Sequence, residues 1–217
     1  MTERGAEARL RAQIVSACRE MNASGLNRGT SGNVSARHGD GVLITPSGMA
    51  CDAMRAQDIV EIDIDGRSSG RRVPSSEWRM HAAIYRARPE AGAVVHTHSD
   101  HAAALSALRR DIPAFHYMVA EFGGDSLRCA DYATFGTEAL SDAMMRALDG
   151  RRACLLANHG QICFARSLDA ALDLAAAVET LCRQYAIALS AGSPVILGEG
   201  EMAEVVARFA DYGQKSR

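Results

Sequence analysis

The spacing of apolar residues predicts helices over several parts of the chain. Leu10, Ile14, Cys18 and Met21 recur at intervals of three and four residues, which indicates an amphipathic helix over residues 6–22. Helical spacing and capping residues favour further helices over about 75–88, 100–108, 137–148, 167–189 and 201–212. For the helix near residue 75, Ser75 or Ser76 is expected to be the N-cap, with Glu77 in the first turn.

Between these helices the apolar period shortens and β-branched residues become frequent. The resulting short runs, separated by Gly and Asp turns, predict strands over about 33–37, 41–45, 58–63, 93–98, 153–157 and 161–164. The first three follow one another without intervening helices, which favours antiparallel pairing over βαβ units. We therefore expect an α/β protein that forms a single domain over residues 1–217, with a central, largely antiparallel sheet covered by helices.

Composition removes several classes of function. The chain of 217 residues is 47% apolar and 23% charged, enough for a real core, and its net charge of −2 comes with no basic stripe. Nucleic-acid binding is therefore not expected. The polar N-terminal segment and the lack of a long apolar run predict a cytoplasmic protein without membrane contact. The six cysteines show no C-x-x-C spacing, so we expect reduced, mostly buried thiols.

Lysine is almost absent, and this affects the chemistry. The only lysine is Lys215. A Schiff-base mechanism needs a lysine in a desolvated pocket, and so does the binding of pyridoxal phosphate. Both are therefore excluded as hypotheses for the interior of the domain.

Three histidines have the arrangement of a metal site. His96 and His98 stand two residues apart on a predicted strand, so both side chains point to one face. His159 lies at a turn between two later strands, where Gly160 permits a tight backbone. Three protein ligands with one open position are typical of catalytic zinc. The alternative is that the strand histidines are merely polar surface residues.

Three turns rich in hydroxyl groups could hold an anion. They are Thr30–Asn33, Thr45–Gly48 and Ser75–Glu77. Turns of this kind present backbone N–H groups, and helix N-termini do the same, so together they predict a phosphate held without lysine. Each turn by itself would be ordinary, and Glu77 by itself would only complement a helix dipole. His81, four residues after Glu77, could be a ligand or could simply pack.

Six motifs occur in the order found in the class II, metal-dependent aldolases of the L-fuculose-1-phosphate aldolase type, and the chain resembles that family from about residue 25 to 212. The motifs are SGNVS at 31–35, TPSG at 45–48, PSSEW at 74–78, VHTH at 95–98, IPAFHYM at 112–118 and YATFGT at 132–137. The resemblance implies the three-layer fold of the class II aldolase and adducin head domains.

The same resemblance implies roles for individual residues. His96, His98 and His159 would bind a divalent metal, most often Zn²⁺ with Mn²⁺ or Co²⁺ as alternatives, and Glu77 would be the catalytic acid/base that also touches the metal. Tyr117 would act from the neighbouring subunit of a homotetramer whose sites lie at subunit interfaces. The phosphate site would consist of Thr30, Gly32, Asn33, Ser47, Gly48, Ser75 and Ser76.

By this resemblance the reaction would be reversible cleavage of a ketose 1-phosphate to dihydroxyacetone phosphate and a small aldehyde. Candidate substrates are L-fuculose 1-phosphate, 5-deoxyribulose 1-phosphate and 5-methylthioribulose 1-phosphate. Phe135, Phe209 and Tyr212 could line an apolar aldehyde pocket or pack in the core. The alternatives are a sugar-phosphate 4-epimerase or a methylthioribulose-1-phosphate dehydratase on the same scaffold, and a non-enzymatic adducin-like binding module.

Overall fold

A computed structural model describes residues 2–68 and 70–210, and a sheet of seven strands lies at the centre of this part. The strands are β1 (Asn33–His38), β2 (Gly41–Ile44), β3 (Val60–Ile62), β4 (Ala93–Thr97), β5 (Cys129–Ala130), β6 (Ala153–Leu156) and β7 (Gly160–Ala165). Their order is β3-β2-β1-β4-β7-β6-β5, and only β5 and β6 pair in parallel. The prediction of a largely antiparallel sheet is confirmed.

Helices cover both faces of the sheet. They are α1 (Glu3–Ala23), α2 (Trp78–Ala87), α3 (Asp100–Ser106), α4 (Glu138–Ala147), α5 (Leu168–Ala191) and α6 (Glu199–Ala210). One apolar layer joins α1, α3 and α5 to the sheet, and a second joins α2 and α4 to its other face. Within residues 2–68 and 70–210, no helix is long and apolar enough to cross a bilayer.

The two apolar layers follow from the alternation of side chains along each strand. In β4, Ala93 and Val95 face the layer of α1, α3 and α5, whereas Val94 faces the layer of α2 and α4. His96 is next in this alternation, so it points to the α2 side of the sheet. The register of β4 pairs His96 with Asn33 of β1 and with Ile162 of β7. This strand therefore brings a histidine to α2, the helix that follows Glu77.

Two boundary predictions are wrong. Helix α2 begins at Trp78 and its N-cap is Glu77, not Ser75 or Ser76. The reason is that the chain before Glu77 is still held in an extended pairing, in which the Ser75 N–H donates to Thr45 O. The strand predicted over 58–63 shrinks to β3 because residues 56–58 form a 3₁₀ turn. The last predicted helix is confirmed as far as residue 210, and positions 211 and 212 lie outside the described residues.

The cysteine prediction is wrong for one pair. Cys18 of α1 and Cys51 form a disulfide with a Cα–Cα distance of 5.5 Å. Their separation of 33 residues gives no local signal, and the packing of α1 against the 3₁₀ turn at 51–53 brings them together. The remaining cysteines are free thiols, and three of them, Cys154, Cys163 and Cys182, are buried as expected.

Candidate active site

Four side chains that could bind a metal converge beside the end of β4. One ligand atom from each of Glu77, His96, His98 and His159 lies within 4.8 Å of the others. We call these four residues the metal cluster. The Nε2 atoms of His96 and His98 are 3.0 Å apart, and Glu77 Oε2 is 3.1 Å from His96 Nε2. The predicted ligand set is thus assembled in space, although its members come from the N-cap of α2, from β4 and the residue that follows it, and from a distant turn.

The backbone between β6 and β7 places His159 in this cluster. Asn158 has a left-handed φ of 53°, and the His159 N–H donates to Leu156 O and to Ser106 Oγ. At Gly160, a Cβ atom would lie 2.3 Å from the backbone oxygen of Thr97. Only glycine allows β7 to start so close to β4, which agrees with the tight turn expected from the sequence.

The donor set fits a divalent cation. The His96 Nδ1–H donates to Gln161 O at 2.7 Å, which leaves the Nε2 lone pair free for a metal. Two imidazole Nε2 atoms at 3.0 Å repel each other unless a cation or a proton lies between them. Glu77 Oε1 is buried and lies 3.2 Å from His159 Nε2, where one cation could bind both atoms. Three imidazoles and a carboxylate are ligands that zinc prefers. The residues therefore fit a divalent metal.

The electrostatics of the cluster favour the metal-binding forms of Glu77 and His98. Burial raises the pKa of Glu77, but the charge and hydrogen bonding of His96 and His159 outweigh it and hold the pKa well below its ordinary value. Burial, with help from the neighbouring imidazoles, lowers the pKa of His98 to about 4. Glu77 is therefore a carboxylate and His98 a neutral imidazole, as metal binding requires.

A cavity of about 380 Å³ opens beside the metal cluster. Glu77, His98 and His159 line it, whereas His96 is fully buried. Three further segments contribute to the lining, residues 30–33, 45–48 and 75–76, which we call the hydroxyl turns. They adjoin the metal cluster through the Asn33–Glu77 hydrogen bond. All seven residues predicted for phosphate binding line the cavity: Thr30, Gly32, Asn33, Ser47, Gly48, Ser75 and Ser76.

The hydroxyl turns offer neutral donors and no cationic side chain. No lysine or arginine is among the described residues that line the cavity. Gly32 and Gly48 have φ values of 70° and 65°, in the left-handed region where backbone N–H groups form anion-binding nests. A Cβ at Gly32 would also lie 2.8 Å from His96 O. The arrangement suits an anion bound by backbone and hydroxyl groups.

Not all of the aromatic residues predicted for the aldehyde pocket and for catalysis line the cavity. Phe135 lines the cavity together with Tyr132, which the sequence analysis did not single out. Phe209 packs instead with a small apolar cluster that includes Met202, and Tyr212 lies outside the described residues. Tyr117 is half-exposed and does not line the cavity of its own chain.

Two further residues lie near the site: Asn158, to which the sequence analysis gave no role, and His81, which it named as a possible ligand or packing residue. Asn158 lines the cavity, and its Oδ1 accepts a hydrogen bond of 2.6 Å from Arg109 Nε. His81 is fully buried and hydrogen-bonds to Asn33 and Ser35, so it is not part of the metal cluster. The only signal in the sequence was the position of His81 one helical turn after Glu77.

A family model and curated relatives match nearly the whole chain. The model described as "Class II Aldolase and Adducin N-terminal domain" matches residues 12–186. A 5-methylthioribulose-1-phosphate/5-deoxyribulose-1-phosphate aldolase of Rhodospirillum rubrum is 49% identical over 213 residues, 98% of this chain and 96% of its own. An L-fuculose phosphate aldolase of Escherichia coli K12 is 48% identical over 206 residues, 94% of this chain and 96% of its own.

Solved structures agree with this similarity. An L-fuculose 1-phosphate aldolase superposes with a TM-score of 0.89 at 37% identity and covers 93% of this chain and 96% of its own. An L-fuculose-1-phosphate aldolase from Thermus thermophilus has a TM-score of 0.74 at 27% identity, covering 87% of this chain and 100% of its own.

Proposed function

Because the chain belongs to the class II aldolase and adducin N-terminal domain family, we propose that it is a metal-dependent aldolase that cleaves a ketose 1-phosphate. The products are dihydroxyacetone phosphate and a small aldehyde, and the reaction is reversible. One observation carries this proposal: the metal cluster and the cation-free hydroxyl turns open onto one cavity. A ketose 1-phosphate has a phosphate at one end and adjacent carbonyl and hydroxyl oxygens next to it, which matches a cavity lined by both the hydroxyl turns and the metal cluster.

The chain's own residues supply binding and proton transfer. When bound, the divalent metal provides a Lewis acid for the negative charge that develops as the C3–C4 bond breaks. The hydroxyl turns hold the phosphate by N–H and O–H donors, which fixes the dihydroxyacetone phosphate half. Glu77 lines the cavity as part of the metal cluster, and in this proposal it transfers the proton at C3 as general acid/base. No lysine is needed, in agreement with the sequence.

The apolar residues that line the cavity indicate which kind of aldehyde the site accepts. Phe135, Tyr132 and Ala133 line it, and no arginine or lysine in the described lining awaits a second phosphate. We therefore expect an uncharged aldehyde with an apolar end. One methylene in an apolar pocket discriminates by only about 1–3 kcal/mol, so related monophosphates are accepted with modest preferences.

Product analysis tests the proposal. We expect the purified protein to release dihydroxyacetone phosphate from L-fuculose 1-phosphate, 5-deoxyribulose 1-phosphate or 5-methylthioribulose 1-phosphate, and to handle a ketose 1,6-bisphosphate poorly. A chelator should abolish the release, whereas borohydride added with substrate should not inactivate the enzyme. Epimerised or dehydrated products without any dihydroxyacetone phosphate would refute aldolase activity, and full activity of metal-free protein would refute metal dependence.

We also propose that Tyr117 acts in the site of a neighbouring subunit of a homotetramer. Its half-exposed ring outside the cavity of its own chain supports this. There it would transfer the hydroxyl proton of the aldehyde half. Mixing inactive Tyr117→Phe with inactive His96→Ala subunits should then restore activity, because some sites combine an intact metal cluster with an intact tyrosine. No recovery in mixed oligomers verified by mass would show that Tyr117 does not act across subunits.

Two further proposals concern the identity of the metal and the cellular location of the protein. Zinc is the proposed metal because three imidazoles and one carboxylate form a set that zinc favours, and metal analysis of protein purified without added salts tests it. The cytoplasmic location stays a prediction, and the Cys18–Cys51 disulfide counts against it because disulfides are rare in the cytosol. Trapping the thiols by alkylation in intact cells would show whether this pair is oxidised there.

A further inference from the structure

A chain of buried hydrogen bonds leads from Glu77 into the protein interior. Asn33 Nδ2 donates to Glu77 Oε2 at 2.9 Å, and Asn33 Oδ1 lies 2.5 Å from His81 Nε2. On the other side of the imidazole, His81 Nδ1 lies 2.6 Å from Ser35 Oγ, which is 2.9 Å from the Tyr85 hydroxyl. All five side chains are buried. We call Asn33, His81, Ser35 and Tyr85 the His81 chain.

The chemistry of Glu77 fixes the direction of each bond in this chain. An ionised carboxylate only accepts, so the Asn33 atom that faces it must be the NH₂ group. Asn33 Oδ1 then faces His81 and must accept from Nε2–H. Burial, and to a smaller extent the charge of His96, lower the pKa of His81 to about 3, so the ring is neutral and Nδ1 is an acceptor. Ser35 therefore donates to Nδ1 and accepts from Tyr85.

We propose that His81 is a positioning residue that holds the Asn33 amide in one of its two orientations, with the NH₂ group towards Glu77. The opposite orientation would place Asn33 Oδ1 against the carboxylate and its NH₂ group against the Nε2–H of His81. Both contacts would then be repulsive. The effect of this positioning on catalysis rests on the proposed function. The orientation of the Asn33 amide itself can be measured without substrate.

The far end of the His81 chain is held firmly, as a positioning role requires. The guanidinium of Arg37 donates to the backbone oxygens of Tyr85, Arg88 and Ala91, and it lies 5.0 Å from the centre of the Tyr85 ring. Arg37 belongs to β1, as Asn33 and Ser35 do, and His81 and Tyr85 belong to α2. The His81 chain and Arg37 therefore connect β1 to α2, the helix whose N-cap is Glu77, at several points between Arg37 and the site.

Two consequences for catalysis follow from the orientation of Asn33. Its NH₂ group donates to Glu77 Oε2, which keeps that oxygen fixed beside His96. Asn33 also lines the cavity among the hydroxyl turns, so a flipped amide would present an acceptor oxygen to a phosphate or to a carboxylate. His81, which does not line the cavity, would affect the reaction only through Asn33.

Nitrogen NMR of the protein labelled with ¹⁵N-histidine tests the tautomer directly. The zinc-loaded and the chelator-treated protein are compared, and the His81 signals are identified by their loss in His81→Gln. We expect His81 to be a neutral ring with its proton on Nε2 in both samples. A proton on Nδ1, or a doubly protonated ring at neutral pH, would overturn the proposal whether or not the enzyme cleaves the expected substrates.

A double-mutant cycle tests whether His81 affects the reaction through Asn33. His81→Leu removes the donor and should lower kcat about 10-fold, the low end of the roughly 10- to 100-fold cost of removing a direct partner of a metal ligand, because His81 reaches Glu77 only through Asn33. His81→Gln keeps an N–H donor and should recover most of this loss. In an Asn33→Ala background, adding His81→Leu should lower kcat by less than about 2-fold, because no amide remains to be oriented.

Variants and controls keep the outcome decisive. Zinc content and the unfolding temperature are measured for each protein, and Tyr85→Phe, which removes only the outermost hydroxyl group, should cost less than His81→Leu. If His81→Leu costs the same factor with and without the Asn33 side chain, His81 is a packing residue and the proposal is wrong. If His81→Leu does not fold, two other measurements decide the question. They are the position of the proton on the His81 ring and the kcat values of Tyr85→Phe and His81→Gln. Intact positioning together with no release of dihydroxyacetone phosphate would refute the proposed function alone.

Discussion

The metal cluster and the hydroxyl turns line one cavity but are built in different ways. In the metal cluster, side chains provide the binding atoms and neighbouring groups hold them: Gln161 O orients His96, and Asn33 orients Glu77. In the hydroxyl turns, we expect the backbone to provide much of the binding surface, because Gly32 and Gly48 have positive φ. Ser76 is exposed there, whereas Glu77, one residue later, is buried.

This difference predicts how each of the two groups responds to substitution. A side chain that binds a metal has no substitute, because removing it deletes one of a few strong bonds. A backbone N–H survives every side-chain exchange except one to proline or one that changes the path of the chain. The metal cluster should therefore be sensitive to the identity of its residues, and the hydroxyl turns to their backbone conformation.

The largest effect is expected for His98→Ala. A bound metal stabilises the transition state by several kcal/mol, so loss of this ligand should lower kcat by about 10³-fold or more and deplete the metal. His101→Ala is the matched control, because His101 lies three residues along the chain and pairs with Glu179 outside the cavity. It should keep the metal and most of the activity. Metal analysis and initial rates measure both, and an active, metal-loaded His98→Ala would contradict the ligand assignment.

An intermediate effect is expected for Gly32→Ala, with Gly48→Ala as its control. Both glycines have positive φ, and a left-handed conformation costs a residue with a Cβ about 1–2 kcal/mol. At Gly48 nothing lies within 4 Å of an added Cβ, whereas at Gly32 it would lie 2.7 Å from Asn27 Nδ2 and 2.8 Å from His96 O. Overpacking of this kind typically adds about 1–3 kcal/mol.

Thermal unfolding distinguishes the two glycine variants. In a chain of this size, about 1 kcal/mol lowers Tm by roughly 2–4 °C. Gly32→Ala should therefore lower Tm about twice as much as Gly48→Ala, and it should also reduce activity because it displaces the backbone of His96. Equal shifts would mean that only the left-handed conformation matters and that the close contact relaxes without cost.

The smallest effect is expected for Ser76→Ala. An exposed hydroxyl group that binds phosphate replaces a bond to water, so its net contribution is about 0.5–1.5 kcal/mol. This corresponds to a roughly 2- to 13-fold decrease in kcat/KM at unchanged metal content. Inhibition by inorganic phosphate should weaken by a similar factor. A loss as large as that of His98→Ala would contradict the view that the backbone carries most of the anion binding.

The sequence by itself determined the local features of this protein. The spacing of His96 and His98 predicted a shared face, the turn at 158–160 predicted a third ligand, and the hydroxyl turns predicted an anion site. The helices and the antiparallel strands were predicted because periods of 3.6 and 2 are visible in short windows. Boundaries at Ser75–Trp78 were missed because a pairing with the distant Thr45 segment kept that chain extended.

Only the tertiary structure decided which distant side chains meet. The partners of Asn33, the burial of His81 between Asn33 and Ser35, the Cys18–Cys51 disulfide and the position of Tyr117 outside its own cavity have no local signature. Contacts such as Asn33 with Glu77 join residues 44 positions apart. Such contacts depend on the register of β1 against β4 and on the packing of α2 against the sheet. Those are set by burial of the whole apolar surface, and no single segment of the sequence encodes them.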